Sequence, residues 1–401
     1  MRGARVLLGV TGGIAAYKAA ALASTLVQRG ALVDVILTAE AERFVGALTF
    51  SSLTARPVYT SLWDAPERIP HVRLVREAQV ALVAPATAHL IGKLALGLAD
   101  DILSTALLAA RIPVIVAPAM NAAMYEKPST QEHLATLRSR GYAIVEPEEG
   151  YLAEGERGVG RLASEERILA AVERVLTPQT LAGVRVAITA GPTRECFDPV
   201  RFLSNASTGA TGIALAREAW LRGADVTLVL GPTLLAPPGG VRVVRVKTAQ
   251  EMLDAALAHA AGADVVVAAA AVADWRPAQR SESKMKKGAA TLDARLEATA
   301  DVLAALGERK GNTCLVGFAA ETEDHEARAR EKMTRKHLDA IAVNDVRGER
   351  GFGTGENELT VLWADGRRES IGRGAKSELA RHLWDAIERA GLALHPQKPA
   401  S

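Results

Sequence analysis

Short runs of consecutive apolar residues alternate along the chain with stretches in which apolar positions recur at helical spacing. Residues 4–10 form the first run. A glycine-containing turn and an alanine-rich helical stretch to Arg29 follow, and after Gly30 comes a second run at residues 33–38. Continuous apolar strands separated by helices are typical of parallel sheets covered on both faces. The pattern therefore predicts a strand–helix–strand unit.

The same pattern starts again near residue 184. A strand is predicted at 184–189, a helix at Ile213–Arg222 after a glycine-containing loop, and a strand at 225–230. Further buried strands are predicted at 80–85, 113–118, 264–271, 314–319 and 339–344, and an antiparallel hairpin with an Asp-Gly turn at 359–371. The predicted fold class is α/β, with two doubly wound parallel-sheet domains in tandem and a β-hairpin near the end of the second.

The segment 176–183 contains Pro178 and Gly183 and predicts the boundary between the two domains. The expected domains are residues 1–180 and 181–394, and residues 395–401 are expected to form a disordered tail. A length of 401 residues also favours more than one domain.

Composition narrows the class of protein. Hydrophobic residues make up 49% of the chain and charged residues 23%, which is enough to build cores and excludes general disorder. The net charge of +2 predicts neither a nucleic-acid nor a membrane partner. Cys196 and Cys314 form no CxxC pair, which argues against a disulfide framework or a cysteine zinc site. No run reaches the ~18 apolar residues of a membrane span, so a cytoplasmic protein is expected.

The turn after the first strand suits an anion. Thr11 offers a hydroxyl, Gly12 and Gly13 allow close approach of the backbone, and the next helix presents N–H groups. No acidic residue ends the second strand, where Thr38 stands instead, so FMN fits better than a dinucleotide. The alternative is a glycine turn without a ligand.

Two polar residues of the first half have more than one interpretation. Asn121 follows a buried strand, where its amide could hold a carboxylate or cap a helix. His71, placed in a loop before a strand, could act as a base or be an ordinary structural histidine. The sequence contains no HExxH motif, so it does not support a metalloenzyme.

The second half carries a denser set of polar residues. Residues 198–209 bring hydroxyls, an arginine and an amide to a helix start, which predicts a phosphate-binding site. Asp274 ends a very apolar strand, where it could hold Mg²⁺, bind a base or ribose, or cap a helix. Lys332 and Lys336 share one side of a helix and suit either a triphosphate or a basic surface.

Together these motifs resemble the bifunctional phosphopantothenoylcysteine decarboxylase / phosphopantothenate–cysteine ligase family of coenzyme A biosynthesis. The first half carries TGGIAAYK, APAT, LADDILST, PAMNAAMY and GERGVGRL, and the second ITAGPTRE, DPVRFLSN, AAVAD, GFAAET and AVND. The resemblance covers nearly the whole chain in the family's order. It implies a flavodoxin-like flavoprotein domain followed by a Rossmann-like ligase domain.

For the first half, the resemblance implies an FMN-dependent decarboxylase that oxidises the cysteine end of its substrate, releases CO₂ and returns the hydride. His71 matches the family's catalytic histidine and Asn121 its carboxylate-binding asparagine. Glu154 stands where many members carry a flap cysteine, and we expect it or a water to protonate the intermediate. The implied FMN-binding residues are Thr11, Gly12, Gly13, Thr38, Pro85, Ala86, Thr87, Ser104, Ala119 and Met120.

For the second half, the resemblance implies that CTP converts 4′-phosphopantothenate to an acyl-cytidylate, from which L-cysteine displaces CMP. Asn205 matches the asparagine that acts on the acyl-cytidylate, Arg201 is expected to bind substrate, and Asp274 is the expected Mg²⁺ ligand. The implied CTP-binding residues are Asp274, Lys284, Ala300, Asp301, Val302, Leu303, Phe318, Lys332 and Lys336. Ala210 and Thr299-Ala300 depart from the family's usual lysine and Asn-Pro.

The family implies a homo-oligomer built from trimers of the flavin domain and dimers of the ligase domain. Three other functions remain as alternatives: a flavin-binding regulatory subunit, a flavin prenyltransferase and a generic two-domain oxidoreductase. The fused second half and His71 argue against the first. The PAMN segment and the ligase half argue against the second.

Overall fold

The computed structural model describes residues 1–64, 69–151, 155–286, 293–321, 325–345 and 356–391. It divides into two compact units, Met1–Pro178 and Gln179–Ser401. Within the described residues, no helix combines the length and the apolar character that a bilayer crossing requires.

The first unit alternates strands and helices. Its strands are β1 (Arg5–Val10), β2 (Leu32–Leu37), β3 (Val58–Tyr59), β4 (Val80–Ala86), β5 (Val114–Pro118), β6 (Ala143–Ile144), β7 (Glu148–Tyr151) and β8 (Arg157–Arg161). Its helices are α1 (Ala16–Gln28), α2 (Ala39–Glu42), α3 (Ala47–Thr54), α4 (Pro70–Glu77), α5 (Ala88–Leu96), α6 (Ile102–Leu108), α7 (Ala122–Tyr125), α8 (Pro128–Ser139) and α9 (Glu165–Leu176).

The central sheet of the first unit is parallel and has the order β3-β2-β1-β4-β5-β6. Side chains of β1 alternate between its faces: Val6 and Leu8 pack in one core with α1 and α9, and Leu7 packs in the other with α4, α5 and α6. Both faces are therefore covered, which confirms the doubly wound prediction. The chain reverses its direction of progress through the sheet between β1 and β4, and this switch point is where open α/β sheets bind ligands.

The second unit repeats the plan with additions. Its strands are β9 (Arg185–Ala190), β10 (Arg194–Cys196), β11 (Phe202–Ser204), β12 (Asp225–Leu230), β13 (Arg242–Arg245), β14 (Val265–Ala268), β15 (Trp275–Pro277), β16 (Leu296–Ala298), β17 (Cys314–Glu321), β18 (Ala340–Asp345), β19 (Glu356–Trp363) and β20 (Arg368–Ala375). Its helices are α10 (Ala210–Leu221), α11 (Ala249–Ala260), α12 (Val302–Arg309), α13 (His325–Arg335) and α14 (Lys376–Arg389).

The main sheet of the second unit has the order β13-β12-β9-β14-β17-β18-β19-β20. Its pairs are parallel as far as β18, and β18, β19 and β20 pair antiparallel, so the expected hairpin is an extension of the parallel sheet. Helices α10 and α14 cover one face and α11, α12 and α13 the other. The switch point lies between β9 and β14.

Among the boundaries that differ from the sequence prediction, two lie beside the ligand-binding edge of the second sheet. Strand β14 ends at Ala268, whereas the apolar run predicted a strand to residue 271. Composition alone does not reveal that the chain leaves the sheet there. Helix α10 begins at Ala210, before the expected Ile213, because Gly209 at its N-cap takes a φ of +76° that a side chain rarely adopts.

Candidate active sites

A cavity of about 880 Å³ opens in the first unit at the switch point, and we call it the first-unit cavity. The loops that follow β1, β2, β4 and β5 line it, so it lies beyond the carboxyl ends of those strands. The structure brings together in its wall most of the residues that the sequence suggested for FMN, together with Asn121: Thr11, Gly12, Gly13, Thr38, Pro85, Thr87, Ala119 and Met120.

The Thr11 hydroxyl joins two of these loops. It donates to the carbonyl oxygen of Pro85 at 2.8 Å and accepts from the backbone N–H of Thr87 at 3.0 Å. Thr11 is buried, so its bond to Pro85 is shielded from water. Its role here is to hold the β1 and β4 loops in register, whereas sequence reasoning had offered the hydroxyl to a ligand.

Asn121 caps a helix and lines the cavity at the same time. Its Oδ1 accepts from the backbone N–H of Ala123 at 2.8 Å at the start of α7. The two sequence interpretations of this residue are therefore compatible, because the cap fixes the orientation of the amide. With the oxygen turned to the helix, the NH₂ group is what the side chain can present to a carboxylate.

Several cavity residues come from elements that the sequence did not predict. The antiparallel ribbon β7–β8 contributes Gly160 and Arg161. A Cβ on Gly160 would lie 2.1 Å from the carbonyl oxygen of Met120, so only glycine allows this close approach. Lys18, on α1, also lines the cavity. Burial lowers the pKa of Lys18 and the nearby Arg161 charge lowers it further. The two cations create a positive field that suits an anionic ligand.

Other predicted residues of the first unit lie away from the cavity lining. His71 belongs to the first turn of α4, which Pro70 begins, and not to a loop as expected. Its Nδ1 is buried and has no hydrogen-bond partner among the described residues. Ser104 is buried in the capping box of α6 with Asp101, and Ala86 is buried within β4. Glu154 lies outside the described residues.

The second unit has a cavity of about 590 Å³, which we call the lysine cavity after Lys332 and Lys336. The residues after β14, the start of α12, strand β17 and helix α13 with its C-terminal end contribute to its wall. Eight of the residues suggested for CTP meet there, together with Asn205: Asp274, Ala300, Asp301, Val302, Leu303, Phe318, Lys332 and Lys336.

The lysines of this cavity are held in defined positions. Lys336 Nζ lies 2.7 Å from Asp301 Oδ2, and its side chain is only 11% exposed. Asp301 also caps α12, because its Oδ1 accepts from Ala304 N–H at 3.0 Å. Burial opposes ionisation of Asp301, but the hydrogen bonds from Lys336 and Ala304 N–H and the charges of Lys336 and Lys332 together outweigh it and lower the pKa of that carboxyl. Lys332 Nζ donates to the carbonyl oxygen of Phe318 at 3.0 Å.

Asp274 and Asn205 have contrasting surroundings. Asp274 is exposed, precedes β15, and caps none of the described helices, which removes its alternative role as a cap. Within the described part of the chain no residue hydrogen-bonds to its carboxylate, and no cluster of three metal-ligating side chains is present. Asn205 Nδ2 donates to the carbonyl oxygens of Ala271 at 3.3 Å and Val272 at 3.0 Å.

A third cavity, of about 180 Å³, lies at the N-terminus of α10, and we call it the helix cavity. Ser207 and Thr208 of the predicted phosphate site line it, as does Lys376 at the start of α14. Burial lowers the pKa of Lys376. The Oδ1 atom of Asn357, a residue only 7% exposed, has no partner among the described residues. Ala270, Ala271 and Phe318 line both this cavity and the lysine cavity.

Two predicted residues of the second unit line neither cavity. Arg201 Nη1 donates to Asp198 Oδ2 at 3.0 Å and to the carbonyl oxygen of Met285 at 2.9 Å. Lys284 is exposed on the loop between β15 and β16.

Comparison with known proteins places both units in described families. The family model named Flavoprotein matches residues 1–177. The model described as DNA/pantothenate metabolism flavoprotein C-terminal domain matches residues 181–390.

Similar proteins span almost the whole chain. Coenzyme A biosynthesis bifunctional protein CoaBC of Bacillus subtilis is 46% identical over 389 residues, covering 95% of this chain and 96% of that protein. The protein of that name from Vibrio cholerae is 44% identical over 395 residues, covering 96% and 98%. A crystal structure of the C-terminal domain of CoaBC is 40% identical, with a TM-score of 0.46, and covers 53% of this chain and 97% of that domain.

Proposed function

The chain belongs to the family of bifunctional coenzyme A biosynthesis enzymes, which act as decarboxylase and ligase, and from this premise we propose how its residues divide the work. Residues 181–394 join L-cysteine to 4′-phosphopantothenate at the expense of CTP. Residues 1–180 then use FMN to convert phosphopantothenoylcysteine to 4′-phosphopantetheine. One observation carries the proposal for the ligase: residues from separate segments, each matching a CTP-binding position of the family, meet in the lysine cavity.

The first-unit cavity fits FMN. It lies at a switch point, has room for a flavin mononucleotide at about 880 Å³, and begins at the N-terminus of α1, which has no side-chain cap and no acidic residue in its first turn. The N–H groups of Gly13 and its neighbours would hold the phosphate, and Met120 and Pro85 would flank the ring. Bound FMN would supply the two-electron oxidation and re-reduction that the conversion needs.

The residues of this unit would bind and orient the substrate. Asn121, its amide fixed by the α7 cap, donates its NH₂ group to the substrate carboxylate and so holds it until CO₂ leaves. Lys18 and Arg161 add positive charge to the same wall. His71 moves a proton at the thiol end of the substrate. Since His71 does not line the cavity of its own chain, we infer that a neighbouring copy completes the site, as in the trimers that the family resemblance implies.

In the ligase reaction, the carboxylate of 4′-phosphopantothenate attacks the α-phosphorus of CTP and pyrophosphate leaves. The amine of cysteine then attacks the acyl carbon and CMP leaves with the bonding electron pair. Lys332 and Lys336 neutralise the charge that builds on the departing phosphates, and Asn205 orients the acyl group. Bound Mg²⁺ would add a further charge at Asp274, since this cation is usually held by one or two carboxylates and the substrate phosphates.

The helix cavity suits the phosphate end of 4′-phosphopantothenate. The N–H groups at the start of α10, the hydroxyls of Ser207 and Thr208, and the Lys376 ammonium all favour an anion there. The lysine cavity shares wall residues with it. One substrate could therefore extend from a phosphate in the helix cavity to a carboxylate near CTP. We place the enzyme in the cytoplasm, where its pathway substrates are made, as an assembly of trimers and dimers.

The test is a one-pot reaction with purified protein, 4′-phosphopantothenate, L-cysteine, CTP and Mg²⁺, followed by mass spectrometry. 4′-Phosphopantetheine is the expected product. Accumulation of phosphopantothenoylcysteine would support the ligase and contradict the decarboxylase assignment. Absence of any cysteine adduct would contradict the ligase assignment, and replacing CTP by ATP tests the nucleotide.

A further inference from the structure

Asp198 is a fully buried carboxylate outside the described cavities. Its Oδ1 accepts from the backbone N–H groups of Val200 and Arg201, each at 2.7 Å. Its Oδ2 accepts from Arg201 Nη1 at 3.0 Å and from Met285 N–H at 3.1 Å. Arg201 Nη1 also donates to Met285 C=O at 2.9 Å. Both backbone polar groups of Met285 are therefore held by two side chains that are far away in sequence.

Met285 lies in the loop that joins β15 to β16, directly after Lys284. The base of this ribbon belongs to the lysine cavity, because Thr299 N–H donates to Asp274 C=O at 3.0 Å and the Thr299 hydroxyl donates to Ala273 C=O at 2.5 Å. The loop is thus fixed at the cavity by its base and at Asp198 by Met285.

The segment that carries Asp198 is itself fixed to the same cavity. It continues through β11 to Asn205, whose Nδ2 donates to the backbone after β14. A second bond, from Ser281 N–H to Phe197 C=O at 2.8 Å, joins the two segments again. The Lys284 backbone therefore has a defined position relative to the cavity, although Lys284 itself is exposed.

We propose that Asp198 is a positioning residue of the ligase, which with Arg201 holds the Met285 peptide so that Lys284 reaches the triphosphate of CTP. The proposal rests on the ligase function proposed above. A lysine side chain carries large conformational entropy, and an anchored backbone lowers the cost of placing its charge on a phosphate. Asp198 acts through Lys284 and touches no substrate.

The test compares the full-length protein with Asp198→Asn, which keeps the size of the side chain but turns an acceptor oxygen into a donor that faces N–H groups. Trypsin cleavage after Lys284 should become at least about tenfold faster, because the segment opens more often. Pyrophosphate release from CTP and 4′-phosphopantothenate should fall at least about tenfold in kcat. Glu297→Gln, which alters an exposed ion pair with Arg276 on the same ribbon, should leave the trypsin cleavage rate and the kcat unchanged.

A double-mutant cycle with Lys284→Ala decides whether the effect passes through Lys284. The double variant should be no slower than Lys284→Ala alone, whereas a loss equal to the product of the single effects would overturn the proposal. If trypsin cleaves the Asp198→Asn variant after Lys284 at the wild-type rate, the proposal is overturned as well. If Asp198→Asn loses its folded circular dichroism, Arg201→Gln serves instead. Failure of the wild type to release pyrophosphate would count against the ligase function, and the trypsin comparison would still report on the anchor.

Discussion

Lys336 and Asp301 form an ion pair of 2.7 Å in the lysine cavity, and the same carboxylate caps helix α12. The lysine is thereby held beside the start of a helix, where its ammonium can add to the positive end of the helix dipole. Lys336→Ala should raise KM for CTP by roughly ten- to hundredfold, since a hydrogen bond to a charged group contributes about 1.5–3 kcal/mol. Steady-state pyrophosphate release measures this.

A matched control for that variant exists in the same unit. Lys310 pairs with Asp339 at 2.6 Å, with both side chains partly buried, but lines neither the lysine cavity nor the helix cavity. Lys310→Ala should leave KM for CTP unchanged. An equal rise in both variants would mean that loss of a lysine pair disturbs the fold and not the nucleotide site.

Asn121 allows capping and substrate binding to be separated. Asn121→Asp keeps an N-cap oxygen for Ala123 but replaces the amide by a carboxylate that repels the substrate carboxylate. Decarboxylation should fall at least about a hundredfold at an unchanged melting temperature. Asn121→Ala should lose activity and also about 1 kcal/mol of stability. Activity of Asn121→Asp close to wild type would remove the amide from the mechanism.

Gly160 should be required for flavin retention. A Cβ there would lie 2.1 Å from the Met120 carbonyl, so Gly160→Ala must push β8 away from the loop after β5 that lines the first-unit cavity. The purified variant should carry less flavin than the wild type, measured by the ratio of absorbance at the flavin band to that of the protein. Gly141→Ala provides the comparison, since a Cβ at that position meets no atom within 4 Å and any effect there is local strain.

The stability of the first unit should fall at acid pH through Asp101. Burial of Asp101 opposes its ionised form, but hydrogen bonds from Lys93 and Ser104 outweigh it and lower the pKa below the ordinary 3.8. A lowered pKa contributes stability that is present above pH 3.8 and is lost as pH falls below it. In the Asp101→Asn variant, the melting temperature should therefore depend less on pH in this range.

Asp100 provides the comparison for the acid-pH experiment. It pairs with the same Lys93 but its side chain is 68% exposed, so Asp100→Asn should change the profile far less. Identical profiles for the two variants would show that the lysine pair, and not the buried cap, controls the acid response.

The sequence predicted the parts of the fold that local patterns specify. Apolar runs located β1, β4 and β9, and glycines located the ends of α1 and α10, because burial on both faces and helix termination leave local signatures. The ribbon β7–β8 went unpredicted: its polar and glycine-rich strands show no alternation, and each strand is stabilised by the other. Gly160 and Arg161 belong to the GERGVGRL motif that supported the family resemblance, but their place in the cavity wall was not predicted for that reason.

The hydrogen-bond partners of individual side chains were the other feature that the sequence could not predict. Local sequence could place Thr11 at a ligand-binding edge. It could not show that the Thr11 hydroxyl joins Pro85 and Thr87, which lie more than seventy residues further along the chain. Similarly, Arg201 was expected to bind substrate and the family resemblance assigned Lys284 to CTP, but the sequence gave no sign that Asp198 and Met285 connect them.

Helix α14 supplies Lys376 to a cavity whose other wall, α10, comes much earlier in the chain, and Arg222 at the end of α10 pairs with Asp385 and Glu388 of α14. On the ribosome, the helix cavity therefore stays incomplete until α14 has been translated. A premature stop codon before Lys376 would leave a first unit with its own closed core and a second unit that lacks one wall of the helix cavity.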